Sequence, residues 1–184
     1  MTVPAAATRR ARVPTKRPVS YRLAWALAQD LAGALRNAGV VTGRRGGAIV
    51  FAGSFRRKAD PVGDLDVLLV DRTDPEWQAL DRVPALVLEQ FGPKKAHGRF
   101  RRGRHAIAVD FRRVETRSLG AALEYFTGPK GHNVGMRMKA MKRGWRLNEY
   151  GLFDATGARV AGRTEQEIYD ALGHPWKPPE ERGK

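Results

Sequence analysis

Asp64 and Asp66 flank a single leucine within the stretch FAGSFRRKADPVGDLDVLLV, which runs from Phe51 to Val70. In an extended strand alternate side chains share a face, so the two carboxylates project together, about 7 Å apart, within reach of a pair of divalent cations. Asp66 enters an apolar run, where a charge without a metal or cationic partner is costly. A third carboxylate, Asp110, lies in IAVDF on the opposite parity to Ile107, Val109 and Phe111. Taken singly these acids have ordinary explanations: a solvated strand end, or Asp110 paired with an arginine. Three carboxylates on adjacent strands, however, can hold two ions that activate a hydroxyl and stabilise a leaving pyrophosphate, the chemistry of metal-dependent nucleotidyl transfer. Gly53 and Ser54, followed by Phe55, Arg56 and Arg57, add backbone N–H groups, a hydroxyl and guanidinium groups at the start of a short helix, a combination suited to a triphosphate.

The elements that must position these groups are readable from periodicity. Ser20 caps a helix in which Leu23, Leu27, Leu31 and Leu35 recur every four residues until Gly39. Residues 48–52 form a short strand, and 65–70 a second whose continuous apolar run implies burial on both faces. Asp74-Pro75 opens a helical stretch, interrupted or restarted at Pro84, that ends near Phe91-Gly92-Pro93. Residues 94–111 read as a hairpin turning at Arg101-Arg102-Gly103. Thr116 or Ser118 then caps a helix with a Leu119, Leu123 and Phe126 stripe, closed by Gly128-Pro129; a second helix covers 131–143, with Val134, Met138, Met141 and Trp145 turned to the core. Short strands near Leu152 and Val160 follow, then a helix opened by the capping box Thr164 to Glu167 and closed by Gly173-His174-Pro175. The fold class is α+β: a larger module over 20–114 with a mixed sheet and flanking helices, and a smaller α+β module over 115–184.

At 184 residues with 34 Lys plus Arg against 19 Asp plus Glu, the chain carries a net +15, which favours a polyanionic partner. No apolar run approaches the roughly 20 residues that span a bilayer. The first residues hold arginines but no apolar core, so a secretory signal is not expected and a soluble, intracellular location is. Residues 1–19 hold three prolines and five basic residues without an acid, a composition unable to build a core and readable as a flexible basic arm. The absence of cysteine excludes disulfides, thiolate catalysis and cysteine-ligated zinc, leaving oxygen-ligated hard cations as the natural metals, with Mg²⁺ first and Mn²⁺ as a substitute. Basic residues crowd the hairpin (Arg101, Arg102 and Arg104 among them) and the 131–143 helix (Arg137, Lys139), whereas five acids face two arginines between Asp71 and Glu89. This segregation predicts one side that faces the polyanion, nucleic acid or an acidic membrane surface, and for nucleic acid a grip that depends on phosphate contacts. His97, His105 and His174 show no metal-ligand spacing and read as surface or turn residues; His132 has no assigned role.

In order along the chain, G-S-F-R-R, G-D-L-D-V-L, V-D-F, Y-F-T-G, H-N, L-N-E-Y-G-L-F and the closing G-x-P-W-x-P-P-E-E-R resemble the motifs of family X DNA polymerases, the polymerase beta group, over residues 16–182. The resemblance implies a palm carrying Asp64, Asp66 and Asp110 as ligands of two Mg²⁺ ions, with Gly53, Ser54 and Arg57 on the nucleotide phosphates. It implies that Tyr125, Phe126 and Gly128 line the sugar of the incoming nucleotide and that Asn133 and Arg137 face the minor-groove side of the nascent pair. One ion, on all three carboxylates, would lower the pKa of the primer 3′-OH, and the other, on Asp64, Asp66 and the phosphates, would neutralise the departing pyrophosphate. Asp110 is the candidate to accept or steer the hydroxyl proton.

The chain departs from the family pattern at Pro129, where many members have serine; the family geometry there implies a cis peptide bond, which proline makes less costly, from about 3 to about 1 kcal/mol. A helix-hairpin-helix lyase domain and a histidinol-phosphatase-like nuclease domain are not recognisable, so neither activity is expected. The implied function is DNA-directed DNA synthesis, filling short gaps in repair, by a monomer acting on primer-template or gapped duplex with dNTP substrates. A template-independent terminal transferase and a noncatalytic DNA-end-binding protein are the alternatives.

Overall fold

The computed structural model describes residues 17–41 and 48–183. Most of the basic arm over 1–19 therefore lies outside the described residues. Helix α1 (Tyr21–Asn37) begins where Ser20 accepts a hydrogen bond from the Leu23 N–H and buries Ala24, Leu27, Ala28, Leu31 and Leu35. Strand β1 (Ile49–Phe51) leads into the single-turn helix α2 (Gly53–Arg56), and β2 (Asp64–Val70) returns antiparallel to β1. After α3 (Asp74–Gln78), β3 (Leu86–Phe91), β4 (Lys95–Arg102) and β5 (His105–Val114) form an antiparallel meander. Strand β5 pairs in parallel with β2, giving a mixed five-stranded sheet of order β1-β2-β5-β4-β3.

Residues 86–91 correct the expected helix. Thr73 and Glu76 form a capping box that starts α3, and a 3₁₀ turn over Ala79–Arg82 follows. Pro84 cannot continue a helix, and Ala85 takes a left-handed conformation at φ 62°. Beyond it Leu86 and Leu88 pack inward at a period of two, a strand pattern that the proline-based reading overlooked.

One face of the sheet supplies Leu65, Val67, Leu69, Ile107, Val109 and Phe111 to a core closed by α1. On the other, Leu68, Val114 and Ala52 pack against Ala122, Leu119, Leu123 and Phe126 of helix α4 (Leu119–Thr127). The parity of β2 is therefore split usefully: odd residues fill the core, while Leu68 anchors α4 and leaves Asp64 and Asp66 at the mouth of that face. The Leu119 stripe thus packs on the sheet, as its spacing required, and α4 turns its Ala121 to a second core.

That second core gathers Met136 and Ala140 of α5 (Lys130–Met141), Leu147 and Leu152 of a small sheet, and Ile168, Tyr169 and Leu172 at α6 (Glu165–Ala171). The small sheet is β6 (Arg146–Asn148), β7 (Gly151–Phe153) and β8 (Arg159–Ala161), all antiparallel. The inward face of α5 differs from the one expected: Val134, Met138 and Met141 are exposed, and Asn133, Met136 and Ala140 are buried. Two stripes of this helix are apolar enough to serve. The inward face packs Met136 and Ala140 into the second core and carries Asn133, whose amide N–H donates to the Tyr125 carbonyl at the end of α4.

Candidate active site

Four elements bring the candidate residues to one place. Gly53 and Ser54 of α2 with Arg57 at its C-terminal cap, Asp64 and Asp66 of β2, Tyr125, Phe126 and Gly128 at the end of α4, and Asn133 and Arg137 of α5 all line a single open cleft of about 540 Å³. Gly53 sits at φ 61°, and a Cβ on it would lie 1.9 Å from Asp66 Oδ2. Only glycine lets the α2 backbone approach the carboxylate this closely. Burial lowers the Arg57 pKa from its ordinary value, with Asp66 opposing that shift, and Arg57 donates to the Thr127 carbonyl beside Gly128. The Gly128-Pro129 bond is cis. Arg137 donates to the Asn133 carbonyl at 3.3 Å and stands 5.9 Å over the Tyr125 ring, while Asn133 Oδ1 is buried with no hydrogen-bond partner among the described residues.

Asp110 is placed one strand over. Lying on β5, it is the register partner of Asp66 on β2 and of His97 on β4. Its Oδ1 lies 3.0 Å from His97 Nδ1, and it lines a separate hollow of about 440 Å³ with His97, Lys95 and Arg112. His97 is therefore a sheet residue beside the site and not the surface or turn residue expected; the signal was its offset across a hairpin whose register only the turn fixes. Glu89, expected to belong to an acidic side away from DNA, approaches the other nitrogen of that ring, Oε2 to Nε2, at 3.4 Å.

Among the described residues no three His, Cys, Asp or Glu side chains converge tightly enough to hold a metal ion. The donor set still suits a hard divalent cation. Two carboxylates share the cleft, Asp66 Oδ2 sits against the Gly53 backbone where any Cβ would displace it, and the third carboxylate stands on the neighbouring strand at the same level.

The remaining candidates lie outside the cleft. Arg101, Arg102 and Arg104 are exposed around the β4–β5 turn, where Arg102 pairs with Asp30 of α1 at 2.8 Å, and Lys139 is exposed on α5. His132 is structural: its Nε2 lies 2.8 Å from the Tyr169 hydroxyl, and burial, reinforced by Arg182, pulls its pKa down to about 4. Sequence reasoning missed the charged contact between α2 and α6. Arg56 of α2 reaches Glu165 of α6 with two nitrogens at 2.9 and 2.6 Å and Thr127 Oγ1 at 2.8 Å, and Arg182 pairs with the same Glu165 at 2.8 Å. Burial would raise the Glu165 pKa, but its hydrogen bond from Arg56 and the charges of Arg182 and Arg56 outweigh that and lower it.

Comparison with known proteins places this arrangement. Residues 122–183 match the family model described as DNA polymerase beta thumb. The chain is 34% identical over 137 residues to the DNA polymerase/3′-5′ exonuclease PolX of Bacillus subtilis, a match that covers 71% of this chain but 23% of that longer protein. It is 27% identical over 143 residues to the Repair DNA polymerase X of African swine fever virus (isolate Warthog/Namibia/Wart80/1980), covering 73% of this chain and 80% of the viral protein. Among solved structures it is similar to Leishmania infantum polymerase beta in a ternary P/T complex, with a TM-score of 0.75 at 26% identity over 91% of this chain and 77% of the other. A ternary gap complex of that polymerase gives a TM-score of 0.76 at 25% identity, over 91% and 71%. No described helix is long and apolar enough to cross a membrane. The motif order, the fold and the relatives agree, and the chain belongs to the family X DNA polymerases.

Proposed function

We propose that this chain is a DNA-directed DNA polymerase of repair, adding a deoxynucleotide to a primer 3′-OH and suited to short gaps. The observation that carries the reading is the single cleft: ten residues singled out in the sequence for nucleotide chemistry, from four separate elements, line it together. Asp64, Asp66 and Asp110 would hold the divalent metal ions, whose chemistry is to acidify the primer hydroxyl and to offset charge on the departing pyrophosphate.

This chain's own groups do the rest. The α2 N–H groups, the Ser54 hydroxyl and the Arg57 guanidinium bind the triphosphate and orient its bridging oxygen for in-line departure. Tyr125, Phe126 and Gly128 pack the sugar. Buried Asn133, with its unpartnered amide oxygen, and Arg137 meet the minor-groove edge of the new pair, where a polar group left unpaired by a wrong geometry costs about 1–3 kcal/mol. Asp110 steers the hydroxyl proton. The exposed bases of the β4–β5 turn and of α5 hold duplex phosphates irrespective of sequence.

Primer extension on gapped duplex and on single-stranded primer, each with and without Mg²⁺, tests the reading. Template-matched, Mg²⁺-dependent addition at the gap is expected. Equal extension of single-stranded primer would make the chain a terminal transferase, and binding without extension would make it a noncatalytic end-binding protein.

A further inference from the structure

The side chain of Asp110 is tied to the neighbouring strand β4, and its tie is a histidine that no metal-ligand spacing revealed. His97 faces the same side of the sheet as Asp110, because Ala96 and Phe100 on either side of it point into the core. His97 Nδ1 lies 3.0 Å from Asp110 Oδ1, a contact in which a ring N–H donates and the carboxylate oxygen accepts. The opposite nitrogen faces Glu89 Oε2 at 3.4 Å, and Glu89 Oε1 in turn accepts from Arg99 Nε at 3.1 Å. Glu89 reaches the ring because the β3–β4 register shifts between Leu88 and Gln90, a bulge that removes Glu89 from the ladder and re-aims its side chain. All of these side chains are more than two-thirds shielded from solvent.

We infer that His97, braced by Glu89 and Arg99, is a positioning residue for Asp110: it fixes one carboxylate oxygen and so sets how the other meets the metal and the primer hydroxyl. The inference rests on the polymerase reading and deepens it. A ligand held by such an outer partner keeps its orientation at no cost when the metal arrives, and loss of such partners typically costs about 10–100-fold in metal affinity or activity. Asp64 and Asp66, with Ser54 and Arg57, bind the nucleotide without help from His97. The effect therefore belongs in the rate and in the metal requirement, not in nucleotide affinity.

The test compares His97→Phe, His97→Asn and Glu89→Gln with the unmodified chain and with Asp110→Ala. Readouts are single-turnover incorporation across dNTP concentration and Mn²⁺ binding followed by electron paramagnetic resonance in the presence of DNA and a nonhydrolysable dNTP. His97→Phe is expected to lower the maximal rate about 10–100-fold and to weaken Mn²⁺ binding, with dNTP affinity within about twofold. His97→Asn, which keeps an N–H donor, is expected to recover much of both, and Glu89→Gln to fall between. Unchanged rate and Mn²⁺ binding in His97→Phe would overturn the inference, as would equal losses in His97→Phe and His97→Asn. If His97→Phe does not fold, Glu89→Gln decides, and wild-type Mn²⁺ binding by it would overturn the inference. Full activity in Asp110→Ala is a different failure, because it removes the polymerase reading itself.

Discussion

A methyl group on Gly53 would meet Asp66 Oδ2 at 1.9 Å, from a backbone at φ 61° that L side chains rarely adopt. Gly53→Ala is thus expected to destabilise the fold by about 1–2 kcal/mol through the backbone and to displace the carboxylate. A shift of about 1 Å in a reacting group commonly costs about 100-fold in rate. Thermal melting and single-turnover incorporation separate the two effects; wild-type turnover in Gly53→Ala would mean that the Asp66 position is not critical. At this scale the sequence was informative wherever a residue acts through its own type and spacing. The Asp64 and Asp66 pair and the Gly53-Ser54 turn needed only strand parity to be placed. His97 and Glu89 act across strands, and their meeting depends on a hairpin register and a bulge that local spacing does not encode.

Helices α4 and α5 meet around a buried pair that titrates in opposite senses. Burial, eased by Arg182, pushes the Glu124 carboxyl up to about 7, while His132, 3.8 Å away, is pulled down to about 4. Burial thus favours the neutral form of each, the carboxyl of Glu124 and the imidazole of His132. Glu124 keeps its proton in the fold after a free glutamate has lost it, so its contribution falls as pH rises from about 4.5 to 7. His132 remains neutral where a free histidine protonates, so its contribution falls as pH drops from about 6.5 to 4. The slopes oppose one another over most of that range. Glu124→Gln removes one of them, and its melting temperature relative to wild type should climb from pH 5 to pH 7 and level off above, with a gain on the order of 2–3 kcal/mol. A difference independent of pH would contradict the assignment of Glu124. The helices themselves were legible from their stripes and from Gly128-Pro129. Which stripe of α5 faces inward was not, because Val134, Met138 and Met141 repeat as regularly as Met136 and Ala140, and the choice is made by tertiary packing against Leu147, Leu152 and Ile168 together with the Asn133 bond to Tyr125.

Across the whole molecule, the cleft exists only while α2 and β2 keep their orientation to α4 and α5, and Arg56–Glu165–Arg182 is the charged contact that ties α2 to α6. Removing one partner of a largely buried pair strands the other, and Arg56→Ala is expected to cost about 3 kcal/mol by denaturant unfolding. A double-mutant cycle with Glu165→Gln should return a coupling of at least about 1 kcal/mol; additivity would mean that the contact does not tie α2 to α6. Because Glu165 is held below its ordinary pKa, this contribution is present above the unfolded glutamate's pKa and is lost as pH falls through the folded value. The net charge of +15 implies that duplex affinity falls steeply with salt, and Lys139→Ala should weaken binding equally on unrelated sequences and reduce the salt slope by about 1. The decisive experiment is rapid-quench extension of a one-nucleotide gap by the unmodified chain and by Asp66→Ala, with duplex binding measured in parallel. The account predicts Mg²⁺-dependent, template-matched addition that Asp66→Ala loses by at least about a thousandfold while duplex binding is kept. Undiminished extension by Asp66→Ala would contradict it.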